Sequence, residues 1–302
     1  MSQLLRKQIA AMNIHYRLFP FEYFLDTQQE LGMKSVELLA QAPHFWVDSE
    51  GHQDCTEVRK MAEGRGLEIV AFTVDSGMKY QFPICAWDDA VYRKSIPYYI
   101  NGIKAAGELG ARIMPINCAG GTADQDSRYA FERAVESLRR LAPVAAENGV
   151  TLAVEPMTKE TSVIINTLEE LQRLLDAVNH TNVKAAMDIC TAAAAYETME
   201  QWFAALGEDL IHIHFTDGKP QGHMVWGQGL HPLDQYVQVL NDNDYQGYLG
   251  QNLNVRGMVF DPSEVSAEEG YKGREFIPEN YWLTPAAASK RNMEAFAPYL
   301  AD

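Results

Sequence analysis

Four polar residues stand where four successive predicted strands end. Two are carboxylates, one is an imidazole and one is an amide, and groups of these types can converge on a single point. The four are Glu155 in VTLAVEP, Asp188 in VKAAMDIC, His214 in LIHIHFTDG and Gln251 in YQGYLGQN. Hard oxygen donors with one nitrogen suit a divalent cation, with Mn²⁺ first and Mg²⁺, Co²⁺ or Zn²⁺ as alternatives. The pattern therefore predicts one divalent metal ion per chain.

Each of these residues also has an ordinary explanation when it is taken alone. A Glu before Pro, as at Glu155, is commonly a solvated loop carboxylate, and a His on a strand is commonly a core residue. The joint occurrence at four consecutive strand ends is what favours a metal site. Because side chains alternate along a strand, His212 shares a face with His214 one layer deeper, and we expect it to be a hydrogen-bonded supporting residue.

The elements that must position these residues repeat in a fixed order. A helical pattern ends in Gly and a short apolar strand follows, as in ELGMKSVELL, GRGLEIVAF, ELGARIMPI and ENGVTLAVEP. Eight strands alternating with helices indicate parallel pairing and closure into one (β/α)8 TIM barrel of the α/β class, formed by residues 1–302. The predicted strands are 9–15, 34–39, 67–73, 111–117, 150–155, 183–188, 209–215 and 246–251.

Two helices carry distinct end or interior signals. Thr167 and Glu170 have the spacing of a capping box in front of an apolar stripe. A second stripe begins at Phe131, and Pro143 within it predicts a kink or break. After the eighth strand, residues 255–281 form a long, charged segment, which we expect to be an ordered cover over the barrel mouth or a subunit contact.

Composition narrows the classes of partner. The 302 residues carry a net charge of −16, which opposes binding to a polyanion such as nucleic acid. The four cysteines lack CxxC or zinc-like spacing, and no apolar run is long enough for a signal peptide or a membrane span. We expect a cytoplasmic homo-oligomer, a dimer or tetramer, that acts on a small molecule.

Several segments together resemble a known family. LAVEPMTKETSVIINTLEEL, AAMDICTA, GEDLIHIHFTDG, GHMVWGQGLHPL, YQGYLGQN and the N-terminal ELGMKSVELLAQAPHFW are similar to the xylose isomerase-like barrels, which include sugar isomerases and ketose 3-epimerases. The resemblance is to the fructoselysine (psicoselysine) 3-epimerase branch in particular. Thr191 stands where the tagatose-epimerase branch has a His, which weakens the case for a free ketohexose.

The resemblance implies a metal-dependent epimerase of a ketose or fructosamine, acting through an enediolate. Its ligand set, Glu, Asp, His and Glu, maps onto Glu155, Asp188, His214 and Gln251, and its two Glu residues, here Glu155 and Gln251, would be catalytic. It also implies that His223 binds sugar and that Glu37 faces the substrate. Three further residues are candidates for the substrate pocket by position: His44 beside Phe45-Trp46, Trp226 as an apolar wall, and Asn117 in a small-residue mouth.

Gln251 is the obstacle to a two-base mechanism. An amide can offer an oxygen to a metal, but it neither accepts nor donates a proton usefully at neutral pH. Three interpretations follow: an inactivated Glu→Gln form of an epimerase, a one-base aldose–ketose isomerase or lyase with His223 or Glu37 as partner, and a sugar-binding barrel without catalysis. An endonuclease of the same architecture would need more metal ligands and a basic groove, which the sequence does not offer.

Overall fold

Eight parallel strands close into a barrel in the computed structural model, which describes residues 3–74, 82–254 and 283–301. Each strand pairs with its neighbours in sequence, and β8 pairs with β1. The TIM barrel and all eight predicted strands are therefore confirmed. The strands are β1 Ile9–Met12, β2 Ser35–Ala40, β3 Glu68–Val74, β4 Ile113–Asn117, β5 Thr151–Glu155, β6 Val183–Asp188, β7 Leu210–His214 and β8 Tyr248–Gln251.

Helices follow the strands and pack on the outside of the barrel. They are α1 Phe21–Glu30, α2 Cys55–Glu63, α3 Asp89–Leu109, α4 Ser127–Glu147, α5 Leu168–Val178, α6 Ile189–Ala194, α7 Met199–Leu206, α8 Leu233–Asp242 and α9 Pro285–Phe296. None of these helices is long and apolar enough to cross a membrane. All four cysteines are buried and unpaired. The predicted cover at 255–281 lies outside the described residues.

The helix signals had different outcomes. Thr167 caps α5 and Glu170 completes the capping box, as predicted. Of the kink or break expected at Pro143, the break is wrong, because α4 runs through this residue from Ser127 to Glu147. Leu138, Leu141 and Ala145 of the same helix are fully buried. Most helical stability in proteins comes from such packing, which outweighs the local cost of one proline.

The interior of the barrel is filled by small side chains at one level and by polar ones at another. Ala10, Ala71, Ala153 and Ala186 belong to the inner cluster, together with Val70 and Ile113. Larger side chains pack between the strands and the helices in a separate outer cluster. The sequence therefore leaves a narrow space inside the barrel in which the polar residues of β2 and β7 can meet.

Strand β8 presents a glycine to this space. Gly250 lies beside Ala10 of β1 and beside His214 of β7, both of which face inward. Neighbours in register on parallel strands face the same side of the sheet, so Gly250 faces inward and Gln251 faces outward. Gln251 lies beside Ala11, which packs in the outer cluster.

Replacing Gly250 by Ala should destabilise the protein by about 1–3 kcal/mol, as overpacking does in a filled core. A Cβ at this position would lie 2.5 Å from Glu37 Oε2 and 2.9 Å from His214 Cδ2. Chemical denaturation measures the loss of unfolding free energy. Gly51→Ala is the matched control, since nothing lies within 4 Å of its added Cβ. Equal stability of the two variants would contradict the inward placement of Gly250.

Candidate metal centre

Three of the four predicted ligands meet at the ends of β5, β6 and β7. Glu155 Oε1 lies 2.5 Å from His214 Nδ1, and Asp188 Oδ2 lies 4.0 Å from the same nitrogen. One donor atom from each of the three residues lies within 4.8 Å of the others, and all three side chains are buried. This spacing is close enough for one cation to contact all three donors after small side-chain shifts.

The orientation of Asp188 is fixed by the helix that follows it. Its Oδ1 accepts the backbone N–H of Thr191 at 2.8 Å, so Asp188 is the N-cap of α6. An N-cap carboxylate satisfies a backbone donor that has no partner within the helix. The other oxygen, Oδ2, is directed toward His214 and His223. One carboxylate therefore both starts a helix and offers a ligand atom.

A buried carboxylate supports His214 from inside the barrel. Glu37 Oε1 lies 3.2 Å from His214 Nε2, and Glu37 Oε2 lies 2.9 Å from His212 Nε2. Thr73 also donates a hydrogen bond to Glu37 Oε1. A carboxylate on the distal nitrogen of a ligating histidine orients the ring and raises its basicity. The supporting role expected for His212 agrees with this geometry.

The expectation that Glu37 faces the substrate does not fit the structure. Glu37 is the third of the six residues of β2, and its side chain is 0% exposed beneath His214. β2 continues for three residues beyond Glu37, to Ala40, so Glu37 lies below the end of the strand. The Glu37 side chain lies against His212 and His214, beneath the candidate metal centre.

The pKa shifts show how strongly these groups interact. Burial alone would raise the pKa of Glu37, but His212 and His214 outweigh it and hold that pKa well below its usual range. Burial alone would lower the pKa of His214, but Glu155 and Glu37 hold it well above its usual value. Glu37 therefore depends on the positive charge of the imidazoles beside it. A divalent cation could supply that charge in exchange for the proton on His214.

Gln251 is not brought together with the other three predicted ligands. Its side chain is 5% exposed and faces α9. Its amide nitrogen donates to the Leu249 carbonyl at 3.2 Å, and its amide oxygen accepts a hydrogen bond from Asn292 Nδ2. Both halves of the amide are thus used in packing between β8 and α9. Because side chains alternate along a strand, Gln251 shares its face with the apolar Leu249, and this is the signal in the sequence that could have indicated an outward placement.

His223 enters the site from the loop after β7. Its Nε2 lies 3.3 Å from Asp188 Oδ2, and its side chain is 28% exposed. Its Nδ1 lies 3.0 Å from the Asn252 carbonyl, and since a carbonyl can only accept, Nδ1 donates this hydrogen bond. This arrangement directs Nε2 toward the cluster and agrees with the sugar-contacting role implied by the resemblance.

The remaining substrate candidates have different surroundings. His44 is buried, accepts from Asn13 at Nδ1 and donates from Nε2 to the Phe19 carbonyl, and burial lowers its pKa. These contacts make His44 a structural residue of the β2 loop. Asn117 ends β4 beside Glu155 in register, with its Oδ1 accepting the N–H of Ala119. Asn117 therefore remains a candidate at the mouth.

Trp226 packs in the core and does not form the predicted apolar wall. Its side chain is 4% exposed, its ring contacts Phe215 and Phe296, and its indole N–H donates to the Phe215 carbonyl. Phe296 belongs to α9, which is distant in sequence. The glycines around Trp226 suggested an aromatic side chain exposed in a loop, but Phe296 of α9 packs against the ring and helps to bury it.

Two residues of the site region were missed by the sequence analysis. Asp217 organises the loop that carries His223, and Asn292 of α9 links the Gln251 side chain to the backbone of Trp226. An acidic residue followed by four glycines, at 218, 222, 227 and 229, is a signal that could have identified Asp217. Nothing in the local sequence distinguishes Asn292.

The substitution Gln251→Glu separates the outward placement from the ligand role implied by the resemblance. If Gln251 packs against α9, a carboxylate would leave the Leu249 carbonyl without its donor and cost about 1–3 kcal/mol of unfolding free energy. Affinity for Mn²⁺ would then be unchanged. Denaturation and calorimetric titration with Mn²⁺ measure the two quantities. The control is Gln235→Glu, which adds the same charge to an exposed position of α8. Tighter Mn²⁺ binding with intact stability would contradict the outward placement.

Comparisons with known proteins agree with this architecture. Fructoselysine 3-epimerase from Shigella flexneri is 25% identical over 268 residues, covering 88% of this chain and 96% of the relative. D-psicose 3-epimerase from Enterocloster bolteae is 24% identical over 276 residues, covering 84% and 87%. The solved structure of D-allulose 3-epimerase from Methylomonas sp. superimposes with a TM-score of 0.77 at 17% identity, covering 99% of this chain and 100% of that chain.

The two sequence relatives support the prediction of an isomerase of the carbohydrate-epimerase type. The superposition on the solved structure, at 17% identity, supports the fold alone. The family model described as xylose isomerase-like TIM barrel matches residues 25–279, which include all of the candidate ligands. The chain therefore belongs to the xylose isomerase-like TIM barrel family.

Proposed function

We propose that the protein is a metal-dependent sugar epimerase that removes a proton from the carbon next to the carbonyl of a ketose or fructosamine. The observation that carries the proposal is the convergence of Glu155, Asp188 and His214 within 4.8 Å at the strand ends of the barrel. The curated relatives named above act as 3-epimerases of fructoselysine and of D-psicose. Inversion at C3 is accordingly the proposed reaction.

The donor set fits a divalent cation. Two carboxylates and one imidazole, backed by a third carboxylate on the distal imidazole nitrogen, suit Mn²⁺ first, with Mg²⁺, Co²⁺ or Zn²⁺ as alternatives. When bound, the ion supplies a Lewis acid that polarises the substrate carbonyl and increases the acidity of the adjacent C–H. Glu155, Asp188 and His214 would hold it.

Glu155 is the proposed proton acceptor. His214 contacts Glu155 through Oε1, which leaves Oε2 to approach the substrate. The side chain is buried at the end of β5, so its reactive oxygen is shielded from bulk water. A positioned carboxylate of this kind contributes roughly 10²–10⁴-fold to proton transfer.

Gln251 favours a second candidate function. With its amide directed to α9, β8 supplies no carboxylate to the opposite face of the substrate. An aldose–ketose isomerase needs one base and would be satisfied by Glu155 alone. If the protein is an epimerase, His223, which contacts Asp188, is the side chain that would provide the second proton-transfer group.

The substrate is proposed to be unphosphorylated. The mouth segment after β4, Asn117 to Gly121, contains no basic residue that could neutralise a phosphate. A neutral sugar or a sugar amine also suits a protein with a net charge of −16 better than a phosphosugar does.

A homo-oligomer remains our proposal for the assembly. Several large apolar side chains are exposed in the segments that follow strands, on the side of the barrel where the site lies. They are Leu18, Trp46, Trp87, Tyr196 and Leu230. Exposed apolar residues grouped on one face commonly mark a contact surface. The cytoplasmic location is likewise a proposal.

Metal binding tests the centre directly. Dialysed protein should bind one Mn²⁺ per chain. Asp188→Asn should weaken this binding at least about tenfold, because loss of a side chain that merely supports a ligand already costs about that much metal affinity. The Asn oxygen can still cap α6, so folding should persist. Asp176→Asn, at an exposed position of α5, is the control. Elemental analysis and titration with Mn²⁺ measure the metal content and the affinity. Equal affinities in the unaltered protein and both variants would contradict the proposed metal site.

Solvent deuterium incorporation tests the reaction. With Mn²⁺ and fructoselysine or D-psicose in D₂O, the protein should exchange the C3 proton and form the C3 epimer. Glu155→Gln should reduce exchange by roughly 10²-fold or more, because it removes the proton acceptor. The exposed Glu147→Gln variant of α4 should match the unaltered protein.

The position of exchange distinguishes the two candidate functions. Exchange at C1 with an aldose as product would contradict the epimerase and support the one-base isomerase. No exchange at any carbon, with metal bound, would contradict both.

A further inference from the structure

We propose that Asp217 is a positioning residue, which holds the loop after β7 so that His223 is kept against Asp188. The inference rests on the proposed function, because it assigns how that site is assembled. Asp217 lies three residues beyond β7 and is 1% exposed. It is not one of the three converging ligands, and its two carboxylate oxygens serve the loop.

Four backbone N–H groups converge on the Asp217 carboxylate. Oδ1 accepts from Gly218 at 2.8 Å and from His231 at 3.1 Å. Oδ2 accepts from Gly227 at 2.9 Å and from Gly229 at 2.6 Å. Hydrogen bonds to an ionised acceptor are about twice as strong as those between neutral groups. One buried charge thus organises the segment from 218 to 231.

Glycines allow the loop to close around this carboxylate. A Cβ on Gly229 would overlap Asp217 Oδ1, and Gly227 has a φ of 90°. Residues with side chains adopt such a positive φ at a cost. The turn Trp226-Gly227-Gln228-Gly229 therefore has a structural reason, since it wraps the backbone around Asp217.

The same residue fixes the backbone next to His223. Asp217 and Met224 exchange two backbone hydrogen bonds, at 3.1 and 2.6 Å. His223, adjacent to Met224, has a φ of 48°, which is unfavourable for a residue with a side chain. Such a conformation persists only where its surroundings impose it.

The contacts of His223 complete the connection. Its carbonyl accepts the N–H of Asn254, its Nδ1–H donates to Asn252, and its Nε2 lies 3.3 Å from Asp188 Oδ2. His223 therefore links the loop after β7 both to the segment after β8 and to a metal ligand. In the part of the chain that the structure describes, these four N–H groups are gathered by Asp217 alone, so loss of its carboxylate should release His223.

The substitution Asp217→Asn tests this role. It keeps the size of the side chain but directs an NH₂ group at two of the four backbone donors. We expect kcat/KM for the epimerisation to fall by roughly 10²-fold, the cost of misplacing a group by about 1 Å. Mn²⁺ affinity should stay within about twofold, because Glu155, Asp188 and His214 are untouched.

A double-mutant cycle with His223→Gln shows whether Asp217 acts through His223. Asp217→Asn combined with His223→Gln should be no slower than His223→Gln alone, within about twofold. Multiplicative losses in the double variant would overturn the proposal, since Asp217 would then act independently of His223.

A spectroscopic readout separates this inference from the proposed function. The Nδ1–H proton of His223, assigned by its absence in His223→Gln, should be protected from solvent exchange in the unaltered protein and lost in Asp217→Asn. The Nε2–H of His44, which donates to the Phe19 carbonyl, is the internal control and should remain. This readout needs no activity, so it holds even where no sugar is turned over. Retention of the His223 signal in Asp217→Asn would overturn the proposal.

A second variant keeps the test decisive if Asp217→Asn does not fold. Gly227→Ala strains the backbone at a φ of 90° without a steric clash, because nothing lies within 4 Å of the added Cβ. Gly227 supplies one of the four donors, so the loop should loosen and the His223 signal should weaken. An unchanged His223 signal in Gly227→Ala would count against the proposal.

Discussion

The imidazole of His214 between two carboxylates is the interaction on which the rest of the site depends. Glu155 contacts one ring nitrogen and Glu37 the other, and all three side chains are buried inside a closed barrel. Buried charges are stable only when they are paired and hydrogen-bonded. The barrel meets that condition by giving Glu37 three partners and by leaving room at Gly250, where a side chain would collide with the cluster.

Two carboxylates outside this pair hold the loops that bring the remaining groups into place. Asp188 uses one oxygen to start α6 and the other to face the cluster, while Asp217 uses both oxygens to gather the loop after β7. In each case the backbone donors that a loop cannot satisfy internally are bound by a side chain. The same hydrogen bonds that make these loops stable therefore also determine where Oδ2 of Asp188 and Nε2 of His223 point.

The fold and the convergence of three candidate ligands could be predicted because both depend on local periodicity. Glu155, Asp188 and His214 can be found because each ends an apolar strand. The order of alternating strands and helices can be found because many of the helices end in Gly. Glu37, Trp226 and His44 were misplaced because their surroundings come from distant segments: His212 and His214 for Glu37, Phe296 of α9 for Trp226, and Asn13 and Phe19 for His44. Gln251 differs from these, since alternation along β8 puts it on the face of the apolar Leu249, whereas its place at a strand end had suggested a ligand.

The chemistry open to the protein follows from which face of the substrate each titratable group can reach. An epimerase must remove a proton from one face and return one to the other, and β8 offers an amide whose two ends are already engaged by Leu249 and Asn292. Glu155 approaches the cluster through His214, whereas His223 approaches it through Asp188. The two candidate proton-transfer groups therefore contact different residues of the cluster. Glu155 of β5 contacts His214, and His223 of the loop after β7 contacts Asp188. If the chain inverts a carbon centre, His223, in the loop that Asp217 holds, is a described side chain placed beside the candidate ligands that could supply the second proton-transfer group.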